Sequence, residues 1–161
     1  MSEIDTVFDS MGDEGMSAYT VDPASEPHII IGADRRITVP DELKRLAVQF
    51  DHNAETVTFD CPRYQDGVDM LDKQVWISMT LPGSIPNAYK ATNVVADEND
   101  PNIMHFDWTI KEDMTQVQGS IKFLVVVVDI SLETGKTEFR CNTDLCNDCY
   151  INEGSDSLEE I

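Results

Sequence analysis

Apolar and polar residues alternate along most of the chain between Ile37 and Ser155, in short runs that are separated by turn residues. In a β-strand, successive side chains point to opposite faces of the sheet, so this alternation predicts strands with one buried face. The clearest runs are Thr56–Cys61, Met104–Ile110 and Gly119–Ile130, and a further strand is expected over Tyr89–Val95. Because turns recur at short intervals and no long helical pattern lies between them, we expect an all-β fold. The pattern favours an antiparallel β-sandwich of Ig-like or jelly-roll-like arrangement.

The alternation also predicts which side chains form the core of the sandwich. The predicted core contains Val57, Phe59, Val75, Ile77, Phe106, Trp108, Ile121 and Phe123. One segment, Leu124–Val128, is apolar on both faces, which indicates a central strand or one covered by a second subunit or by the N-terminal arm. For Pro40–Leu46 two interpretations remain open, a single helical turn or a loop that enters a strand at Leu46–Phe50.

Charge divides the chain into three regions. The net charge is −20; residues 1–34 hold eight acidic residues and residues 141–161 hold six, with no Lys or Arg in either segment. We therefore predict an extended acidic N-terminal arm over 1–27, a β-sandwich module over 28–154 and an acidic C-terminal tail over 155–161. Such an arm is expected to become ordered on a partner and is a candidate for exchange between subunits.

The same composition argues against two kinds of partner. Nucleic-acid affinity depends largely on Lys and Arg that neutralise phosphates, and the chain has 11 of these against 31 acids. No apolar run approaches the roughly 18–20 residues of a membrane helix. The N-terminus also lacks the basic and apolar regions of a signal peptide, which favours synthesis in the cytoplasm and reduced cysteines.

The candidate ligand residues do not form a complete site in the sequence. Cys141, Cys146 and Cys149 have the spacing of a plant-type iron–sulfur motif, but no fourth cysteine follows them. A C-x2-C pair alone supplies two of the four ligands of a zinc site. Residues 97–100 offer oxygens but lack the calcium-loop spacing, and the three histidines are scattered. We predict no metal, no cofactor and no catalytic residues, with His105 at a surface position of its strand.

A few residues are candidates for a contact surface. Arg63 and Tyr64 lie in a predicted loop, where these residue types suit an interface, although an ion pair between Arg63 and a nearby acid is the alternative. Trp76 is the aromatic residue that points outward from its strand. The full set of candidate interface residues is Arg63, Tyr64, Trp76, Leu124, Val126 and Val128.

Several segments, taken in order, resemble a module of phages and prophages of Firmicutes. This module is the N-terminal domain of baseplate upper proteins and of related tail or head-fibre proteins. The resemblance covers about Ile37 to Gly154, and the segments that carry it are Ile37–Pro40, Val48–Tyr64, Asp66–Gly67, Ile103–Ile110, Gly119–Val125 and Tyr150–Gly154. In that family the module is a β-sandwich that docks a fibre or receptor-binding part onto the virion, and it has no catalytic residues to carry over.

The resemblance implies a non-enzymatic virion structural protein, made in the host cytoplasm. This chain carries an acidic arm before the module and ends shortly after Gly154, which favours an adaptor or attachment subunit of the tail, baseplate or capsid surface. A capsid decoration or head-fibre protein is the alternative. The expected partners are other virion proteins and further copies of the chain in a homo-oligomer such as a trimer. A carbohydrate-binding β-sandwich is the competing hypothesis from another functional class.

Overall fold

The structure is a computed structural model that describes residues 26–155. The predicted acidic arm, apart from its last two residues, and the C-terminal tail beyond Ser155 therefore lie outside the described residues. The elements in chain order are β1 (Ile29–Ile31), β2 (Ile37–Thr38), helix α1 (Asp41–Lys44), β3 (Arg45–Val48), β4 (Thr56–Pro62), β5 (Tyr64–Gln65), β6 (Val68–Asp69), β7 (Gln74–Leu81), β8 (Ile85–Lys90), β9 (Thr92–Ala96), β10 (Ile103–Thr109), a 3-10 helix (Glu112–Met114), β11 (Gly119–Ile130), β12 (Thr137–Asn142) and β13 (Cys146–Asn152).

Two sheets form the body of the molecule. The five-stranded sheet has the order β2-β1-β4-β10-β9, and the six-stranded sheet has the order β3-β13-β11-β7-β8 with β12 paired to β11. Strand β11 is long enough to serve two partners along one edge, because β13 pairs with its first half and β12 with its second. Strands β5 and β6 make a separate small hairpin. The predicted all-β sandwich is confirmed.

The sheets are mixed, which refines the prediction of antiparallel pairing. Strand β1 runs parallel to β4, and β13 runs parallel to β3, whereas the other pairs are antiparallel. Short turns join antiparallel neighbours, but strands far apart in sequence can approach each other in either direction. Strands β2 and β3 and helix α1 separate β1 from β4, so the chain has room to return in the same direction.

An aromatic cluster joins the two sheets. Phe59 on β4 stacks on Phe106 of β10 with ring centroids 4.9 Å apart. Phe123 of β11 meets both Phe59 and Trp108 edge to face across the gap between the sheets. All eight predicted core residues are buried, so the alternation predicted the inward register of four strands correctly.

The chain changes sheet where the sequence predicted one continuous strand. The expected strand Tyr89–Val95 is divided into β8, in the six-stranded sheet, and β9, in the five-stranded sheet. The buried Ala91 lies at the corner, where its backbone N–H donates to the Val75 carbonyl at 2.8 Å. Asn93 follows with a φ of 53°, a backbone conformation that Asn tolerates better than most residues. The single-strand prediction was wrong because alternation does not show where a strand leaves its sheet.

The segment Pro40–Leu46 satisfies both of its interpretations. Pro40 precedes one turn of helix, α1, which has no buried residues, and the chain then enters β3 at Arg45. The helix ends as soon as Leu46 and Ala47 reach the core, where both are buried. Side-chain burial therefore decides the boundary between the turn and the strand.

Candidate functional site

Two histidines and an aspartate meet on the outer face of the five-stranded sheet. Asp60 on β4 is the direct cross-strand partner of His105 on β10. Asp60 is also the partner of Ile30 on β1, and His28 lies just before that strand. Cross-strand partners on one face are close neighbours, so the register of three adjacent strands brings His28, Asp60 and His105 together. We call these three residues the His–Asp cluster.

One carboxylate oxygen lies at the centre of the cluster. The Oδ1 atom of Asp60 is 2.7 Å from Nδ1 of His28 and 2.7 Å from Nδ1 of His105. The two imidazole rings meet edge to face with centroids 5.9 Å apart. The side chains are 34% exposed for His28, 31% for Asp60 and 22% for His105, so ions in solution can reach them.

A second carboxylate orients His105 from the other side. Asp97 Oδ1 lies 2.6 Å from His105 Nε2. Its other oxygen, Oδ2, accepts the backbone N–H groups of Asn99 and Asp100, each at 2.9 Å. This turn therefore holds the Asp97 carboxylate in a fixed position. Asp97 belongs to the segment 97–100 that was considered for calcium binding. Within the described residues, its carboxylate instead accepts hydrogen bonds from backbone amides and contacts His105.

The surrounding carboxylates determine the protonation of His105. Ionised carboxylates only accept hydrogen bonds, and each ring nitrogen of His105 faces one, so both nitrogens must donate. Partial burial opposes the charged ring, but the hydrogen bonds with Asp97 and Asp60 outweigh it and raise the pKa of His105. The hydrogen bond from His105 and the two backbone amides lower the pKa of Asp97.

The sequence pattern does not predict this cluster, although it contains part of the signal. The alternation within Thr56–Cys61 puts Asp60 on the outer face of its strand, as it does His105, but it does not show that β4 and β10 are neighbours. The short β9–β10 connection, with Asp97 at its start, was the available clue that Asp97 folds back onto His105. No local pattern connects His28 to Asp60, because the strand that follows His28 and the strand that holds Asp60 are distant in sequence.

Arg63 forms the ion pair that was the alternative to an interface role. Its Nε and Nη2 atoms donate to the two carboxylate oxygens of Asp69 at 3.0 and 2.9 Å. A further bond from Nη1 reaches the Pro101 carbonyl, and the guanidinium lies 5.2 Å from the centre of the Tyr64 ring. Arg63 therefore joins the β5–β6 hairpin to the β9–β10 connection, while the Tyr64 side chain remains exposed.

The other candidate interface residues lie on the outer face of the six-stranded sheet. Trp76 on β7 is the cross-strand partner of Val126 on β11. Trp76 and Leu124 are half-buried, whereas Val126 and Val128 are only 5% and 7% exposed. These two valines are buried although they do not belong to the central core cluster. Of this group, Trp76 and Leu124 retain the accessible surface.

The four cysteines are free and buried in two neighbourhoods. Cys61 and Cys141 lie near each other between the sheets, and burial raises the pKa of Cys61 to about 12. On β13, a hydrogen bond from the Cys149 thiol lowers the pKa of Cys146 to about 7, and the same contact raises that of Cys149. The structure does not bring the four together as one ligand set; the three-residue ligand group in the described chain is the His–Asp cluster.

Comparisons with known proteins do not assign a family. No family model matches the sequence, and neither the curated proteins nor the solved structures gave a significant match. Among residues 26–155, the structure contains no helix of sufficient length and apolar character to span a bilayer.

Proposed function

We propose that the protein is a non-enzymatic structural subunit of a phage particle, an adaptor or attachment module of the tail, baseplate or capsid surface. The supporting observation is where the segments that resemble the phage module lie in the fold. Two of them contain β4 and β10, which pair along seven positions. Two others contain the start of β11 and the end of β13, which also pair. The resemblance thus follows central strands of both sheets, as expected of a shared scaffold.

A close contact between two of these segments supports the same proposal. Gly154 donates its backbone N–H to Oε1 of Gln49 at 3.3 Å. A Cβ atom at position 154 would lie 2.4 Å from the Gln49 carbonyl oxygen, so only glycine fits without a shift of the backbone. The end of the module therefore packs against the segment that begins at Val48. This contact favours a single compact unit that docks as a whole.

Self-association is the second part of the proposal, and we place it on the outer face of the six-stranded sheet. Trp76 and Leu124 keep accessible surface there, beside the shielded Val126. Aromatic residues with partly exposed rings are common at the centres of protein interfaces. A neighbouring subunit that covered this face would remove the remaining apolar surface from water.

The carbohydrate-binding hypothesis requires Trp76 to be accessible to a sugar. A sugar platform needs an open ring face, whereas Trp76 is half-buried and its Nε1 donates to Gln74 Oε1 at 3.0 Å. That side chain is fixed within the sheet surface, which favours packing over sugar stacking. A glycan-binding assay of the wild-type protein and of Trp76→Ala tests this alternative directly.

The decisive experiment is a mass-spectrometric inventory of purified particles from a host that makes this protein, with labelled antibody to locate it. The proposal expects the protein at a fixed copy number on the tail, baseplate or capsid surface. Light scattering of Leu124→Glu tests the face, with Gln118→Glu as a control that adds the same charge at an exposed position. Absence from particles rejects the virion role. If both variants have the same assembly mass in solution and are incorporated equally into particles, the outer face of the six-stranded sheet is not the site of self-association.

A further inference from the structure

We propose that His28, Asp60 and His105 bind a divalent cation of the Zn²⁺ class. Their ligand atoms, two imidazole nitrogens and a carboxylate oxygen, all lie within 4.8 Å of one another. Imidazole with carboxylate is a donor set typical of zinc and of related transition metals, whereas calcium and magnesium prefer oxygens alone. This inference is independent of the proposed virion role.

The arrangement needs only a small opening to accept the ion. The two Nδ1 atoms are now each 2.7 Å from Asp60 Oδ1. Zinc bonds of about 2.0–2.1 Å in tetrahedral geometry place ligand atoms about 3.3 Å apart. An outward movement of about half an ångström would produce this geometry, and the three side chains are only partly buried. Three protein ligands leave a fourth position for water or for a partner's side chain.

Asp97 supplies the support that such sites use. Metal-bound histidines typically donate their second ring N–H to a carboxylate, which fixes the ring and strengthens the ligand. His105 Nε2 already contacts Asp97 at 2.6 Å, and backbone amides hold Asp97 in turn. Asp97 is thus a positioning residue, which acts on the ion through His105.

Charge at the site favours a cation when the ion displaces the proton from His105 Nδ1, and that proton passes to solvent. Among residues 26–155, the ion pairs of Asp60 are with the two histidines, and that of Asp97 is with His105; neither carboxylate is paired with Lys or Arg. Asp60 also lines a shallow groove with Ile30 and Ile103, which gives solvent a path to it. A chain with a net charge of −20 attracts cations in general, and here two carboxylates focus that attraction.

The site would fasten the first strand to the sheet. Strand β1 has three residues and pairs with β4 at two positions. His28 begins this segment, while Asp60 and His105 belong to the long β4–β10 pair. A bound ion would tie the start of β1 to both of those strands, directly after the acidic N-terminal segment.

Calorimetric titration of the full-length, chelator-treated protein with ZnCl2 tests the proposal. We expect one saturable site per chain, lost in His28→Gln and in His105→Gln. Asp97→Asn should bind about 10–100-fold more weakly. His52→Gln and Cys146→Ser are the matched controls, because His52 is an exposed histidine outside the cluster and Cys146 is the most acidic thiol. Both controls should bind as the wild type does.

A second measurement needs no substitution. In wild-type protein, Zn²⁺ should shift the Nδ1 nitrogen resonances of His28 and His105 and leave those of His52 unchanged. Absence of a saturable site, or binding that survives His28→Gln but is lost in Cys146→Ser, overturns the proposal. Equal shifts at all three histidines would show non-specific surface binding and would reject it as well.

Discussion

The indole ring of Trp108 meets the ring of Phe123 edge to face, with centroids 5.2 Å apart, where the two sheets pack together. Neither side chain is exposed, and the Trp108 Nε1 donates to the Met114 sulfur at 3.4 Å. The indole is therefore fully buried against Phe123, and its polar atom has a partner. This contact is a central link between the sheets.

Trp108→Ala should lower the free energy of unfolding by about 3–5 kcal/mol, because it leaves a large cavity between the sheets. Urea denaturation followed by circular dichroism measures the change. Val95→Ala is the control, since Val95 is 52% exposed and its loss should cost less than about 0.5 kcal/mol. Equal effects of the two substitutions would contradict the assigned core.

Gly154→Ala should destabilise the protein by about 1–3 kcal/mol through overpacking. The added methyl would meet backbone atoms of Gln49, which are not free to move. In the control, Gly32→Ala, the nearest atom is the Asp34 carboxylate at the end of an exposed side chain, which can rotate away. Thermal melts compare the stability of the two variants. A smaller loss of melting temperature for Gly154→Ala than for Gly32→Ala would show that the backbone at residues 48–49 moves to accommodate the methyl group.

The Arg63–Asp69 pair should make stability depend on acidity in a defined range. The hydrogen bond from Arg63 and the Leu71 backbone N–H lower the pKa of Asp69 in the folded state below its ordinary 3.8. The unfolded chain then binds the proton first, so this contribution is complete above the ordinary pKa. It is lost as pH falls through the lower, folded value.

Asp69→Asn should therefore flatten the loss of stability below about pH 4, when denaturant midpoints are measured at successive pH values. Asp66→Asn is the control, because Asp66 is exposed and its contact with Gln65 is long, at 3.5 Å. If Asp69→Asn leaves the pH dependence of the denaturant midpoint unchanged, or if both variants flatten it equally, the Arg63–Asp69 pair is not its cause.

Cys146 should react first among the four cysteines when the native protein is treated with a small alkylating reagent near pH 8. Its lowered pKa leaves much of it as thiolate, whereas burial holds Cys61 protonated with a pKa of about 12. Peptide mapping by mass spectrometry gives the order of labelling. Cys149→Ala removes the thiol donor and should slow the reaction; faster labelling of Cys61 would refute the assignment.

Alternation in the sequence determined which residues lie in the core of this protein. Phe59 and Phe106 fall in the inward register of their strands, and the structure buries both. The length of Gly119–Ile130 as one strand was also predicted, since an apolar run without turn residues has no reason to end. This information is local, because side chains along a strand alternate between its two faces, and that alternation can be read from neighbouring residues.

Only the tertiary structure decided which strands became neighbours, and the candidate site depends on that choice. Asp60 and His105 lie on neighbouring strands, and His28 directly precedes a third strand that runs parallel to β4; no local pattern specifies this arrangement. The change of sheet at Ala91 and the pairing of Arg63 with Asp69 arise in the same way. The physical reason is that a polar side chain on an outer face gains a partner only after the core has fixed the register of the strands beneath it.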